Sequence, residues 1–116
     1  MPAKILVDDD DKAMLGLYSR IFSKTEHSVS MAESFKEALE MLRSADFDLL
    51  ITDFMFPDGL GTDLIRAFAA EGKQDKSLLV SGSCSEEELK ASGVKLYLEK
   101  PFKIENFLAL VSEALG

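Results

Sequence analysis

"FDLLITDFMFPDGLG", residues 47–61, decides how this chain folds. Leu49, Leu50 and Ile51 make a short unbroken apolar run, the pattern of a strand covered on both faces. Asp53 stands at its carboxyl end. Pro57, Asp58, Gly59 and Gly61 then punctuate a turn. "TDLIRAFAAEG", residues 62–72, follows with apolar residues at helical spacing and a closing Gly72. A buried strand, a turn and a helix in that order form one half of a βαβ unit.

The same rhythm continues in both directions. Upstream, "KILV" (4–7) is a second apolar run, and residues 11 to about 25 carry Met14, Leu15, Leu17, Tyr18, Ile21 and Phe22 at helical spacing. "HSVSMA" (27–32) is a weaker strand. Ser34 then caps "FKEALEMLRSA", with Glu37 placed for a capping box. Downstream, "SLLVSG" (77–82) is a buried strand and "SEEELKASG" (85–93) a short acidic helix between Ser85 and Gly93. "KLYLEKPF" (95–102) is a strand halted by Pro101, and "KIENFLALVSEALG" (103–116) is a last amphipathic helix. Five strands alternate with five helices, which predicts an α/β fold: a parallel sheet with helices on both faces. No repeat, linker or low-complexity segment interrupts it, so residues 1–116 are expected to form a single domain.

Composition limits the function. The net charge is −8, a sign that disfavours direct contact with nucleic acid or an anionic membrane and suits a cation or a basic partner. No apolar run approaches the roughly 20 residues of a membrane span. The N-terminus lacks a secretory signal pattern. Cys84 is the only cysteine, so no internal disulfide forms. A cytoplasmic protein is expected.

In an open α/β sheet, ligands sit beyond the carboxyl ends of the strands. The residues expected there are Asp8 and Asp9 after the first strand, Asp53 after the third, Ser81 and Gly82 after the fourth, and Lys100 after the fifth. Three carboxylates held together repel one another unless a cation joins them, and hard oxygen ligands suit Mg²⁺. Lys100 offers a point charge to a phosphoryl oxygen, Ser81 a hydroxyl donor, and Gly82 an open approach. Such a group describes an aspartate poised to become an acyl phosphate.

Four motifs in order, "ILVDDDD", "LLITDFMFPDGLG", "LLVSGS" and "LYLEKPF", resemble those of the receiver (response-regulator) domain of two-component signalling, close to its chemotaxis-regulator type. The intervals between them match the family, and the match runs almost end to end. The resemblance implies a flavodoxin-like, doubly wound sheet of order 2-1-3-4-5. It implies that Asp53 is the phosphoacceptor, and that Mg²⁺ is held by Asp8, Asp9, Asp53 and the backbone carbonyl of Met55, with Asp9 direct and Asp8 through water. Ser81 and Lys100 would contact the phosphoryl group, Tyr97 would be the switch aromatic that follows Ser81, and a cis bond before Pro101 would aim Lys100. The implied function is a switch rather than a turnover enzyme. A sensor histidine kinase or phosphotransfer protein would donate the phosphoryl group, and the surface of the fourth helix, fifth strand and fifth helix would change. A downstream effector or fused output domain would read that change, with a phosphorylation-linked homodimer among the outcomes. Serine at 81 in place of threonine, Phe56 and Asp11 depart from the usual pattern without removing a required group.

Two rivals have a footing in the sequence. Asp8-x-Asp10 fits a haloacid-dehalogenase-type phosphatase, with Asp8 as nucleophile. A phosphorylation-independent pseudo-receiver would lack a site residue, and none is missing. Simpler roles are expected elsewhere: Asp10 and Asp11 as charges that favour a helix start, His27 as a turn residue, Cys84 as loop filler. "DDDDK" (8–12) matches a protease cleavage tag, but its place between a buried strand and a helix belongs to a fold.

Overall fold

β1 (Lys4–Asp8) and β3 (Leu49–Thr52) lie side by side in a parallel sheet, in register from Ile5 opposite Leu49 to Asp8 opposite Thr52. β2 (Ser28–Ala32) flanks β1, while β6 (Ser77–Ser81) and β7 (Tyr97–Glu99) continue beyond β3. The order is β2-β1-β3-β6-β7. Counting only the strands of this sheet, that is the expected 2-1-3-4-5. The structure, a computed structural model, describes residues 2–116. β4 (Met55–Phe56) and β5 (Gly59–Leu60) form a small antiparallel hairpin within what the sequence presents as a turn.

The central strands carry apolar runs, residues 5–7, 49–51 and 78–80, because helices cover both faces. On one face Ile5, Val7, Ile51, Leu78 and Val80 pack against Tyr18 and Phe22 of α1 (Lys12–Phe22) and Phe107 and Val111 of α5 (Ile104–Leu115). On the other, Leu6 and Leu50 meet Ala38 and Leu42 of α2 (Phe35–Ser44) and Leu64 and Phe68 of α3 (Gly61–Ala70). α4 (Glu86–Ser92) contributes no buried side chain.

Side-chain caps explain where α1, α2 and α4 begin. Asp11 accepts from Ala13 N at 2.9 Å, and Ser34 from Glu37 N at 3.1 Å. Glu37 reaches back to Glu33 N, one residue before the cap, so the box expected there is only half formed. The complete box lies at α4, where Ser85 and Glu88 exchange bonds of 3.1 Å, and Gly93 ends the helix at φ 72°. Among the described residues, no helix is long and apolar enough to cross a membrane.

Candidate functional site

Parallel pairing brings the ends of β1, β3, β6 and β7 to one edge. Asp53 N donates to Asp8 O at 3.1 Å, and Lys100 N donates to Ser81 O at 3.2 Å, so the backbone ladder itself sets the relative heights of these residues. Lys100 precedes Pro101 across a cis peptide bond. Its ammonium donates to Asp9 Oδ2 at 2.8 Å and to Asp53 Oδ2 at 3.1 Å. Burial opposes the charge on Lys100, but its bonds to Asp9 and Asp53 outweigh that effect and raise its pKa. Asp9 is itself buried, and desolvation lifts its carboxyl above the ordinary range despite the opposing bonds from Lys100 and Asp11 N. Asp53 Oδ1 is fixed by Phe54 N at 2.6 Å.

Asp9, Asp10 and Asp53 each offer a carboxylate oxygen, and all three oxygens lie within 4.8 Å of one another. This donor set is acidic, hard and partly open, and it fits a divalent cation such as Mg²⁺. The structure does not bring Asp8 into the group. Alternation along β1 puts Asp8 on the face of Leu6, opposite Val7, next to Ala32 and Thr52 in the neighbouring strands. It is 1% exposed, neither carboxylate oxygen has a partner, and burial followed by the charge of Asp9 pushes its pKa up to about 8. The clustered oxygens thus include one from Asp10, expected to serve only the start of α1, and none from Asp8.

Ser81 is fully buried, and its hydroxyl lies 3.2 Å from Ser83 Oγ and accepts from Ser83 N at 3.1 Å. Tyr97 turns inward and donates its hydroxyl to the Ser81 carbonyl at 3.0 Å. Met55 begins the hairpin two residues after Asp53, with its side chain exposed. A Cβ on Gly82 would meet the carbonyl oxygen of Lys100 at 3.6 Å, an ordinary van der Waals contact, so the packing there would admit a small side chain. A Cβ on Gly61 would run into the carbonyl oxygen of Asp53, and Gly61 N donates to Phe54 O at 2.7 Å, which locks the loop behind the phosphoacceptor candidate.

His27 Nδ1 accepts from Ala3 N at 3.0 Å, at the end of the sheet where β1 begins, so it closes a turn far from the acidic group. Cys84 has a thiol raised by burial and then by Glu88, which leaves it unactivated. A phosphatase nucleophile at Asp8 would need an accessible carboxylate, and Asp8 is enclosed on the opposite face from Val7. The Ser83 hydroxyl and Asp58 are neighbours of the site to which the sequence assigns no role there. Ser83 follows the small residue after Ser81, and Asp58 reads in the sequence only as part of the turn.

The chain matches the family model described as response regulator receiver domain over residues 5–112. It is 34% identical over 112 residues to the response regulator MprA of Mycolicibacterium vanbaalenii, covering 94% of this chain and 48% of that protein. The chain spans about half the length of the curated relatives it matches. A CheY-like receiver domain protein from Methanospirillum hungatei superposes with a TM-score of 0.89 at 28% identity, covering 99% of this chain and 94% of that one. The chemotaxis response regulator CheY4 of Vibrio cholerae superposes with 0.86 at 28% identity, covering 99% and 100%. With the sheet order, the Lys100 bridge and these likenesses together, the chain belongs to the response regulator receiver domain family.

Proposed function

We propose that this domain works as a phosphorylation-dependent switch, with Asp53 taking the phosphoryl group of a phosphohistidine on a partner kinase or phosphotransfer protein. The observation that carries it is the Lys100 ammonium set between the Asp53 and Asp9 carboxylates at 3.1 and 2.8 Å. An Asp53 oxygen attacks phosphorus, the P–N bond to histidine breaks with its electron pair leaving on the imidazole, and an acyl phosphate remains. Lys100 trades its contact with Asp53 for a phosphoryl oxygen. Asp9, Asp10, Asp53 and the Met55 carbonyl would hold Mg²⁺, which when bound neutralises charge on the transferring group. The Ser81 hydroxyl leaves Ser83 for a phosphoryl oxygen, and Tyr97, bonded to the Ser81 carbonyl, follows. The altered α4–β7–α5 surface is then read by an effector or an output domain, and a phosphorylation-linked homodimer is one form of that output. Residues 1–116 act as one receiver unit in the cytoplasm, with no turnover chemistry of their own and no direct contact with nucleic acid or membrane.

The test is labelling with a small-molecule phosphodonor and Mg²⁺. Asp53→Asn is expected to abolish incorporation, while Asp8→Asn retains it. Undiminished labelling in Asp53→Asn would overturn the assignment, and loss in Asp8→Asn alone would favour the phosphatase chemistry.

A further inference from the structure

The hairpin that follows Asp53 is tied to a second element. Both carboxylate oxygens of Asp58, in the turn between β4 and β5, accept backbone N–H groups from the first turn of α2: Phe35 N and Lys36 N, each at 3.0 Å. Ser34 takes the next one, Glu37 N, at 3.1 Å. The orphan donors of this helix end are thus shared between the helix's own cap and a residue from a distant loop. The hairpin also lies directly on α2, since a Cβ on Gly59 would come within 2.5 Å of Phe35 Cγ. Its other end is locked to the phosphoacceptor loop, because Gly61 leaves no room beside the Asp53 carbonyl. Met55, paired with Leu60 across the hairpin, lies between these two anchors.

We propose that Asp58 is a positioning residue for the cation site: by fastening the β4–β5 turn to the N-terminus of α2, it holds the Met55 carbonyl where a Mg²⁺ ligand is needed. Cation binding and the order of the first turn of α2 are then coupled, and the coupling is reciprocal. This rests on the assignment of Met55 and the three aspartates as the Mg²⁺ site.

The geometry supplies its own control. Ser34→Ala weakens the same helix end without touching the hairpin, whereas Asp58→Ala cuts the link. Mg²⁺ affinity by calorimetry and amide exchange at Phe35 and Lys36 are the readouts, on the full 116-residue chain. Asp58→Ala is expected to weaken Mg²⁺ binding about tenfold, as loss of a residue that orients a metal ligand does. Asp58→Asn, which keeps one acceptor, falls between that variant and the parent. Ser34→Ala, which leaves the hairpin fastened, loses much less affinity than Asp58→Ala. In the parent and in Ser34→Ala, Mg²⁺ slows exchange at Phe35 and Lys36, and in Asp58→Ala that slowing is lost. Equal Mg²⁺ affinities in Asp58→Ala and Ser34→Ala would overturn the positioning role while leaving the site intact. A parent protein that binds no Mg²⁺ would overturn the site assignment and the coupling with it.

Discussion

Asp8 ends β1 with a carboxyl group that nothing in the fold satisfies, on a face otherwise built from Leu6, Ala32 and Leu50. An enclosed carboxylate without a partner is costly, and the structure responds by holding the proton, with a pKa of about 8 against 3.8 for the free group. In the unfolded chain the proton leaves near 3.8, so between that value and about 8 the native state binds more protons than the unfolded one. Stability therefore falls as pH rises through this window and levels off above it. Asp8→Val removes the effect and should raise the melting temperature more at pH 8 than at pH 5 in metal-free buffer. The difference should be at least about 4 °C, the shift that about 1 kcal/mol produces in a domain of this size. Equal gains at both pH values would show that the carboxyl group is not the source of the cost. Asp8 also marks where the sequence was hardest to read. Four identical aspartates carry no internal register, so which two group with Asp53 depends on the residue at which β1 stops alternating, and that end is invisible in composition.

At the scale of elements, α4 differs from the other helices. It buries no side chain and is held by the Ser85–Glu88 box and the left-handed Gly93. Ser85→Ala should cost about 1 kcal/mol locally and speed amide exchange within α4 about fivefold. The global melting temperature should scarcely move, because α4 opens separately from the core. A large drop in global stability would mean that α4 unfolds with the sheet. All five main strands and all five helices were legible, since each central strand is a solid apolar run and each helix has a cap or a glycine stop. The β4–β5 hairpin was not, because two residues per strand leave no period to detect. The Asp58 bonds to α2 join positions more than twenty residues apart and have no local signature at all.

For the whole molecule, the excess negative charge has one focus that matters, the edge where Asp9, Asp10 and Asp53 meet. Mg²⁺ at about a hundred times its dissociation constant should add about 2.7 kcal/mol and raise the melting temperature by about 10 °C. Sodium chloride of matched ionic strength screens but does not coordinate, and should give much less. Asp10→Asn should remove most of the Mg²⁺-specific gain. Identical shifts from the two salts would mean that general screening, and not a bound ion, accounts for the stabilisation.

The light burial of α4 bears on how such a domain can diverge. Five of its seven positions are exposed and only Leu89 and Ser92 are half-buried. Substitutions there are nearly neutral for folding, so drift can accumulate on this surface while the phosphorylation chemistry, anchored on the strands, stays unchanged. A duplicated copy could acquire a new listener by rewriting α4 alone, without first gaining stability to spend.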